Sequence, residues 1–199
     1  MTAWMEVASE MNALARQISK PIRVDAVEDL LKKTEKAKTI KSGVGRYLNG
    51  FVMIPKFRAA SKREAIEKLV NEIAKMKPNH VTNAQAAIDA VMKRESSMPT
   101  GLDHGIAVPH GRSDEVHGIA GAIAILDNSG TANGCIPDYE TIDNSPLSII
   151  VLTLANAAEQ TPYLQLMGFI SRALRQNDGY MKFVKCETES EMRTFFREA

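Results

Sequence analysis

Thr100-Gly-Leu-Asp-His-Gly-Ile-Ala-Val-Pro-His-Gly-Arg112 is the stretch from which the fold of this chain is read. A glycine-flanked turn leads into a short apolar strand, Ile106-Ala107-Val108. Pro109 has no N–H to give a sheet ladder, so the strand is expected to stop there. His110 then stands at a strand end. Gly111 behind it allows a sharp turn and a close approach to the ring. A neutral imidazole is a nucleophile, and histidine titrates near physiological pH. A Pro-His pair on its own would be only a histidine in a turn, so its surroundings carry the reading.

Those surroundings alternate between helix and strand. Ser61-Lys-Arg-Glu64 has the form of a capping box and opens a helix with Ile66, Leu69, Val70 and Ile73 inward. Thr82-Asn-Ala-Gln85 is a second such box. Its helix turns Ala87, Ile88, Val91 and Met92 inward and carries Arg94-Glu95 in its last turn. Gly118 to Leu126 is apolar and uncharged, which predicts a strand buried on both faces. Asp127 to Pro146 is a polar connection with a short strand expected around Cys135–Ile136, and Leu147 to Leu154 is a further strong strand. Thr161-Pro162 places a cap and a proline at the start of a helix that buries Leu164, Met167, Ile170 and Leu174. That helix stops at Asn177-Asp-Gly179. Thr188-Glu-Ser-Glu191 caps a last helix with Met192, Phe195 and Phe196 inward. The alternation predicts an α/β fold in which a mixed sheet is sandwiched between helices.

Arg94-Glu95, Thr100-Gly101 and Gly105-Ile-Ala-Val-Pro-His-Gly111, followed by Ile142-Asp-Asn-Ser-Pro146, resemble the motifs of a known family. This is the mannitol/fructose-type enzyme IIA domain of the bacterial phosphotransferase system, which includes the nitrogen-regulatory IIA proteins. The resemblance runs from about Phe51 to the C-terminus. It implies the enzyme IIA fold and a phosphocarrier that accepts a phosphoryl group on His110 from the histidine-containing phosphocarrier protein. The group would pass to an enzyme IIB cysteine or be held as a regulatory signal. An interaction module of the same fold, part of a larger regulator or transporter, is the second function class.

Phosphoryl transfer needs an unprotonated ring nitrogen in line with phosphorus, and positive charge and donors around the oxygens. Arg94 offers a planar fork for phosphate oxygens. From spacing alone it is better read as ion-paired to a neighbouring Glu, and the resemblance is what assigns it to the site. Thr100 either donates a hydroxyl hydrogen bond or shapes the turn. Where the family carries a second histidine, at the head of the helix after the third strand, this chain has Tyr163. The family's glycine and asparagine are replaced by Asp103 and His104. His104 is thus either a substitute partner for His110 or a solvated turn residue. His80 and His117 read as surface residues.

The chain has 199 residues, 44% hydrophobic and 25% charged, which bounds it to a globular protein with one domain and an appendage. A net charge of +1 gives no argument for nucleic acid or a membrane surface. No apolar run is long enough to insert in a membrane. Nothing between Met1 and Ile18 has the form of a leader. Two distant cysteines, Cys135 and Cys186, are expected to be reduced thiols in a cytoplasm. No cofactor is implied, and no metal is expected from the His and Cys spacing. Trp4, Val7, Met11, Leu14 and Ile18 form a narrow heptad seam, and Val24, Val27, Leu30 and Leu31 a second apolar stripe. Residues 1–48 are therefore read as a helical extension and linker, and 49–199 as the enzyme IIA-like domain. The seam either forms a homodimer, packs on the domain, or is the remnant of a larger neighbour.

Overall fold

The computed structural model describes residues 47–48, 50–129 and 136–199. The two N-terminal stripes lie outside the described residues, as does Cys135. Five strands build one mixed sheet: β1 (Val52–Phe57), β2 (Ile106–Ala107), β3 (His110–Arg112), β4 (Ile119–Leu126) and β5 (Ile149–Ala155). The order is β1-β4-β5-β2, with β3 following β2 along the same side of β5. The central pair β4 and β5 is antiparallel, and β1, β2 and β3 run parallel to their partners.

Side chains alternate across this sheet because successive residues of a strand point to opposite faces. Ala120, Ala122, Ala124, Ile150, Leu152 and Leu154 share one core with helices α1 (Lys62–Met76) and α2 (Ala84–Ser97). Ile119, Ile123, Ile125, Ile149 and Val151 face α3 (Gln160–Arg175), α4 (Gly179–Phe183) and α5 (Glu189–Glu198) on the other side. Every residue of β4 and β5 is buried, as the uncharged runs required. An aromatic knot of Phe183 with Phe195 and Phe196, at ring separations of 5.0 and 5.1 Å, closes the second core.

Several expectations need correction. β1 was not legible, because Pro55 argues against a strand. It is tolerated here since β1 lies at the edge of the sheet, paired with β4 alone. A bulge follows, with Lys56 at φ 56. The strand at Ile106 ends after Ala107, yet the ladder resumes at His110, opposite Thr153. Pro109 omits only a donor: its carbonyl still accepts from the Thr153 N–H at 3.0 Å. Ile136 lies in no strand. The α2 cap is Asn83 and not Thr82, whose hydroxyl donates to Glu115 instead. α3 starts one residue before Thr161, behind a 3₁₀ turn at Ala157–Glu159, so Thr161 is no cap. Leu164 is 59% exposed. α4, a single short turn of helix, carries too little pattern to be read. The capping box at Thr188 is fully formed.

Candidate functional site

The stretch from Thr100 to Val108 folds back on itself. Gly101 bridges Ala107 antiparallel, and the Val108 N–H donates to the Thr100 carbonyl at 3.1 Å. A 3₁₀ turn at Asp103–Gly105 joins the arms, with His104 and Gly105 both at positive φ, 59° and 67°. A side chain at Gly105 would strike the Pro146 carbonyl, so glycine is required both for the left-handed backbone and for the close approach. The carboxylate of Asp143 accepts from the His104 N–H at 2.9 Å, which fixes the turn. That bond, with the Ser145 hydroxyl and N–H, holds the Asp143 carboxyl down to about 2.

The ring of His110 is half-buried, and its Nδ1 lies 3.1 Å from the Val108 carbonyl. A carbonyl only accepts, so in the neutral ring Nδ1 carries the proton and Nε2 keeps its lone pair. Gly111 presses β3 onto α2: a Cβ there would run into Val91. This contact sets His110 beside the last turns of α2. A cavity of about 410 Å³ results, lined by Ala90, Lys93, Arg94, Ser97, His110, Gly111 and Arg112. Its charged lining is entirely basic.

Arg94 therefore meets His110 in one cavity, as the site reading required. It forms no ion pair among the described residues. One guanidinium N–H donates to the Met98 carbonyl at 2.8 Å, fixing the side chain at the helix end and leaving further donors of its five. Its sequence neighbour Glu95 turns the other way and is 3% exposed. Thr100 does not join the cavity. It is buried, its hydroxyl donates to Glu95, and the turn-shaping alternative is the one its contacts match.

Tyr163, in the first turn of α3, lays its ring 5.6 Å from that of His110, tilted by 39°. Burial pushes its phenol above the ordinary value, against the opposing pull of the Arg112 and Arg94 charges. It is thus a neutral donor at physiological pH. Tyr163 helps line not the first but a second cavity, of about 600 Å³, walled by Ile106, Val108, Val151, Met167 and Ile170. Leu164 and Met181, 59% and 53% exposed, also line it.

His104 belongs to this second cavity and not to the first. Its exposed imidazole lies 3.8 Å from Asp103 and 6.4 Å from the Tyr180 ring. The substitute-partner reading is thus not met. Sequence reasoning passed over Arg112 and Lys93. Arg112 was legible in principle, since two residues along a strand share a face with His110. Lys93 becomes relevant only once β3 packs on α2. No group of three or more His, Cys, Asp or Glu with metal-holding geometry occurs among the described residues.

A mixed sheet between two helical layers, with an edge histidine in the lining of a basic cavity, defines an α/β protein with a candidate site at one imidazole. Comparison with known proteins specifies the class. The family model for the phosphoenolpyruvate-dependent sugar phosphotransferase system, EIIA 2, matches residues 48–199, and the chain belongs to that family. A nitrogen regulatory protein of Bradyrhizobium diazoefficiens is 27% identical over 126 residues, covering 63% of this chain and 76% of its own. The fructose-specific EIIA component of Haloferax volcanii is 29% identical over 139 residues, covering 70% and 84%. Among solved structures, the complex of enzyme IIAMTL and phosphorylated enzyme IIBMTL from Escherichia coli matches with a TM-score of 0.59. It is 20% identical over 74% of this chain and 94% of that one, a likeness of fold. No helix among the described residues is long and apolar enough to cross a membrane.

Proposed function

We propose that the chain is a phosphocarrier whose acceptor is Nε2 of His110. The observation that carries this is the Val108 carbonyl on Nδ1–H, which leaves the Nε2 lone pair free beside a cavity lined by Lys93, Arg94 and Arg112. The donor is the phosphohistidine of the histidine-containing phosphocarrier protein. The Nε2 lone pair attacks phosphorus and a new N–P bond forms. The donor's N–P bond breaks, its electron pair returning to the donor imidazole. His110 keeps its proton on Nδ1 throughout. The guanidinium groups meet the charge on the three equatorial oxygens, and the Tyr163 hydroxyl supplies one neutral donor. In the onward step a cysteine thiolate of an enzyme IIB takes the phosphoryl group and His110 recovers its lone pair. The apolar cavity beyond Tyr163, with Leu164 and Met181, receives apolar side chains of the docking partner.

A regulatory variant of this reading is favoured by Tyr163. A second histidine could become a cation beside the phosphoryl group; a phenol cannot. A phosphorylation state that is read by a target protein needs less of that chemistry than rapid relay does. The family match beginning at residue 48 supports assigning the activity to residues 49–199. We further propose that the heptad seam Trp4–Ile18, within the appendage of residues 1–48, serves self-association, in a cytoplasmic protein.

Purified general phosphotransferase components and intact mass spectrometry test the reading. One phosphoryl group should be gained by the parent, lost on mild acid treatment, and absent in His110→Ala. Full label in His110→Ala, or label on His104, sinks it.

A further inference from the structure

Glu95 is a buried carboxylate that the transfer step does not use. Three elements converge on it. The Thr100 hydroxyl donates to its Oε1, and the Thr100 N–H lies 3.4 Å from Oε2. The Lys62 ammonium, at the first turn of α1, approaches to 3.9 Å. That ammonium also lies 4.8 Å over the ring of Tyr139, whose hydroxyl is 3.3 Å from the Thr100 hydroxyl. A carboxylate out of water is tolerated only when paired and bonded, and this one is both. What it holds is the backbone at Thr100. The Thr100 carbonyl accepts from the Val108 N–H at 3.1 Å, and the Val108 carbonyl faces His110 Nδ1 at 3.1 Å.

We propose that Glu95 is a positioning residue for His110. By fixing Thr100 it fixes residue 108, whose N–H bonds the Thr100 carbonyl and whose own carbonyl faces Nδ1, and so decides which ring nitrogen carries the proton. The Arg-Glu pair thereby divides its work at one helix end: Arg94 lines the anion cavity, and Glu95 sets the ring that opens onto it. The assignment of Nε2 as phosphoryl acceptor rests on the function proposed above; the control of the tautomer does not.

The test uses the full-length unphosphorylated protein. Long-range ¹H–¹⁵N correlation spectra of the His110 ring report which nitrogen is protonated. The parent and Thr100→Ser should show the proton on Nδ1. In Glu95→Gln and Thr100→Val the proton should redistribute toward Nε2. Phosphoryl uptake at saturating donor should fall with the remaining competent fraction, roughly two- to fivefold, at unchanged apparent donor affinity. An unchanged tautomer in either folded variant overturns the inference. Unfolding of both also overturns it, because the cluster would then serve the core alone. If the parent takes up no phosphoryl group while its tautomer still responds to Glu95→Gln, the phosphocarrier reading fails and the positioning role stands.

Discussion

The cavity beside His110 and the cavity lined by Tyr163 are built on opposite principles. One is small and has only basic charged residues in its lining: Lys93, Arg94 and Arg112 beside His110. The other is larger and mainly apolar, walled by the β2 edge and the inner face of α3. Their difference separates two tasks that a carrier must perform at one point. Charge placed on rigid elements stabilises a transferring group and contributes to the rate of the step. Apolar surface stabilises an encounter whatever the step that follows, and contributes to affinity. Tyr163 joins them: it lines the apolar cavity, and its ring lies 5.6 Å from that of His110, which lines the basic one.

Substitutions on the two sides should therefore fail differently. The largest effect is expected on the basic side. Arg94→Ala removes a charge-assisted contact of about 1.5–3 kcal/mol, which lowers the single-turnover rate roughly ten- to a hundredfold. Arg112→Ala should behave alike. Denaturation midpoints should barely move, since Arg94 bonds only its own helix end and Arg112 lies on an exposed edge. Rapid-quench kinetics at saturating partner decide the matter; an unchanged rate would reduce the basic cavity to a solvated surface.

On the apolar side, Leu164→Asp or Met181→Asp should raise the partner concentration needed for half-maximal rate by about tenfold. That is the loss of burying one apolar side chain, about 1.5 kcal/mol at the low end. The rate at saturation should stay as in the parent. A fall in the saturated rate with no change in affinity would erase the distinction between the two cavities.

Tyr163 sharpens the comparison at its boundary. Tyr163→Phe keeps the ring beside His110 and in the apolar cavity and removes one donor, a net loss of about 0.5–1.5 kcal/mol, so the phosphorylated fraction at equilibrium should drop a few-fold. Tyr163→His should raise that fraction as pH falls and the new imidazole gains a proton. The nearby Arg94 and Arg112 charges oppose that proton, so the rise should begin below the ordinary histidine range. Identical pH responses in parent and Tyr163→His would place residue 163 outside the site.

The smallest effect concerns the turn at the mouth of the apolar cavity. Asp143 is held down to about 2, first by the His104 N–H and then by Ser145. Its folded value lies below the unfolded one, so its contribution is present above about pH 4 and is lost as pH falls through about 2. The His104 amide resonance should titrate with that low midpoint and be flat near neutrality. A midpoint near the ordinary aspartate value would mean that the anchor is absent in solution.

Much of the fold was legible because the central strands are locally unambiguous. An eight-residue apolar run such as Ile119–Leu126 has no solvent-tolerant face, so its burial follows from its composition. Edge elements were not legible: Pro55 masks β1, and Pro109 masks the resumption of the ladder at His110, because a local rule cannot know which side of a strand lies at an edge. The caps shifted by one residue to Asn83 and by two to Glu159 for a similar reason, since nearby polar residues compete and packing chooses.

By itself, the sequence singled out His110 as the candidate acceptor, and the resemblance of the surrounding motifs implied the class of chemistry. Only one histidine sits in a strand-Pro-His-Gly frame, and the motifs around it distinguish it from a histidine in an ordinary turn. Which residues surround that histidine was decided by tertiary packing alone. Gly111 lying against Val91 brings α2 to β3 and so recruits Lys93 and Arg94 to one cavity, across a gap that no spacing encodes. Thr100, eight residues from Val108 in the motif's own hairpin, turns away to a buried Glu95, because burial of a carboxylate demands partners before any ligand can use them.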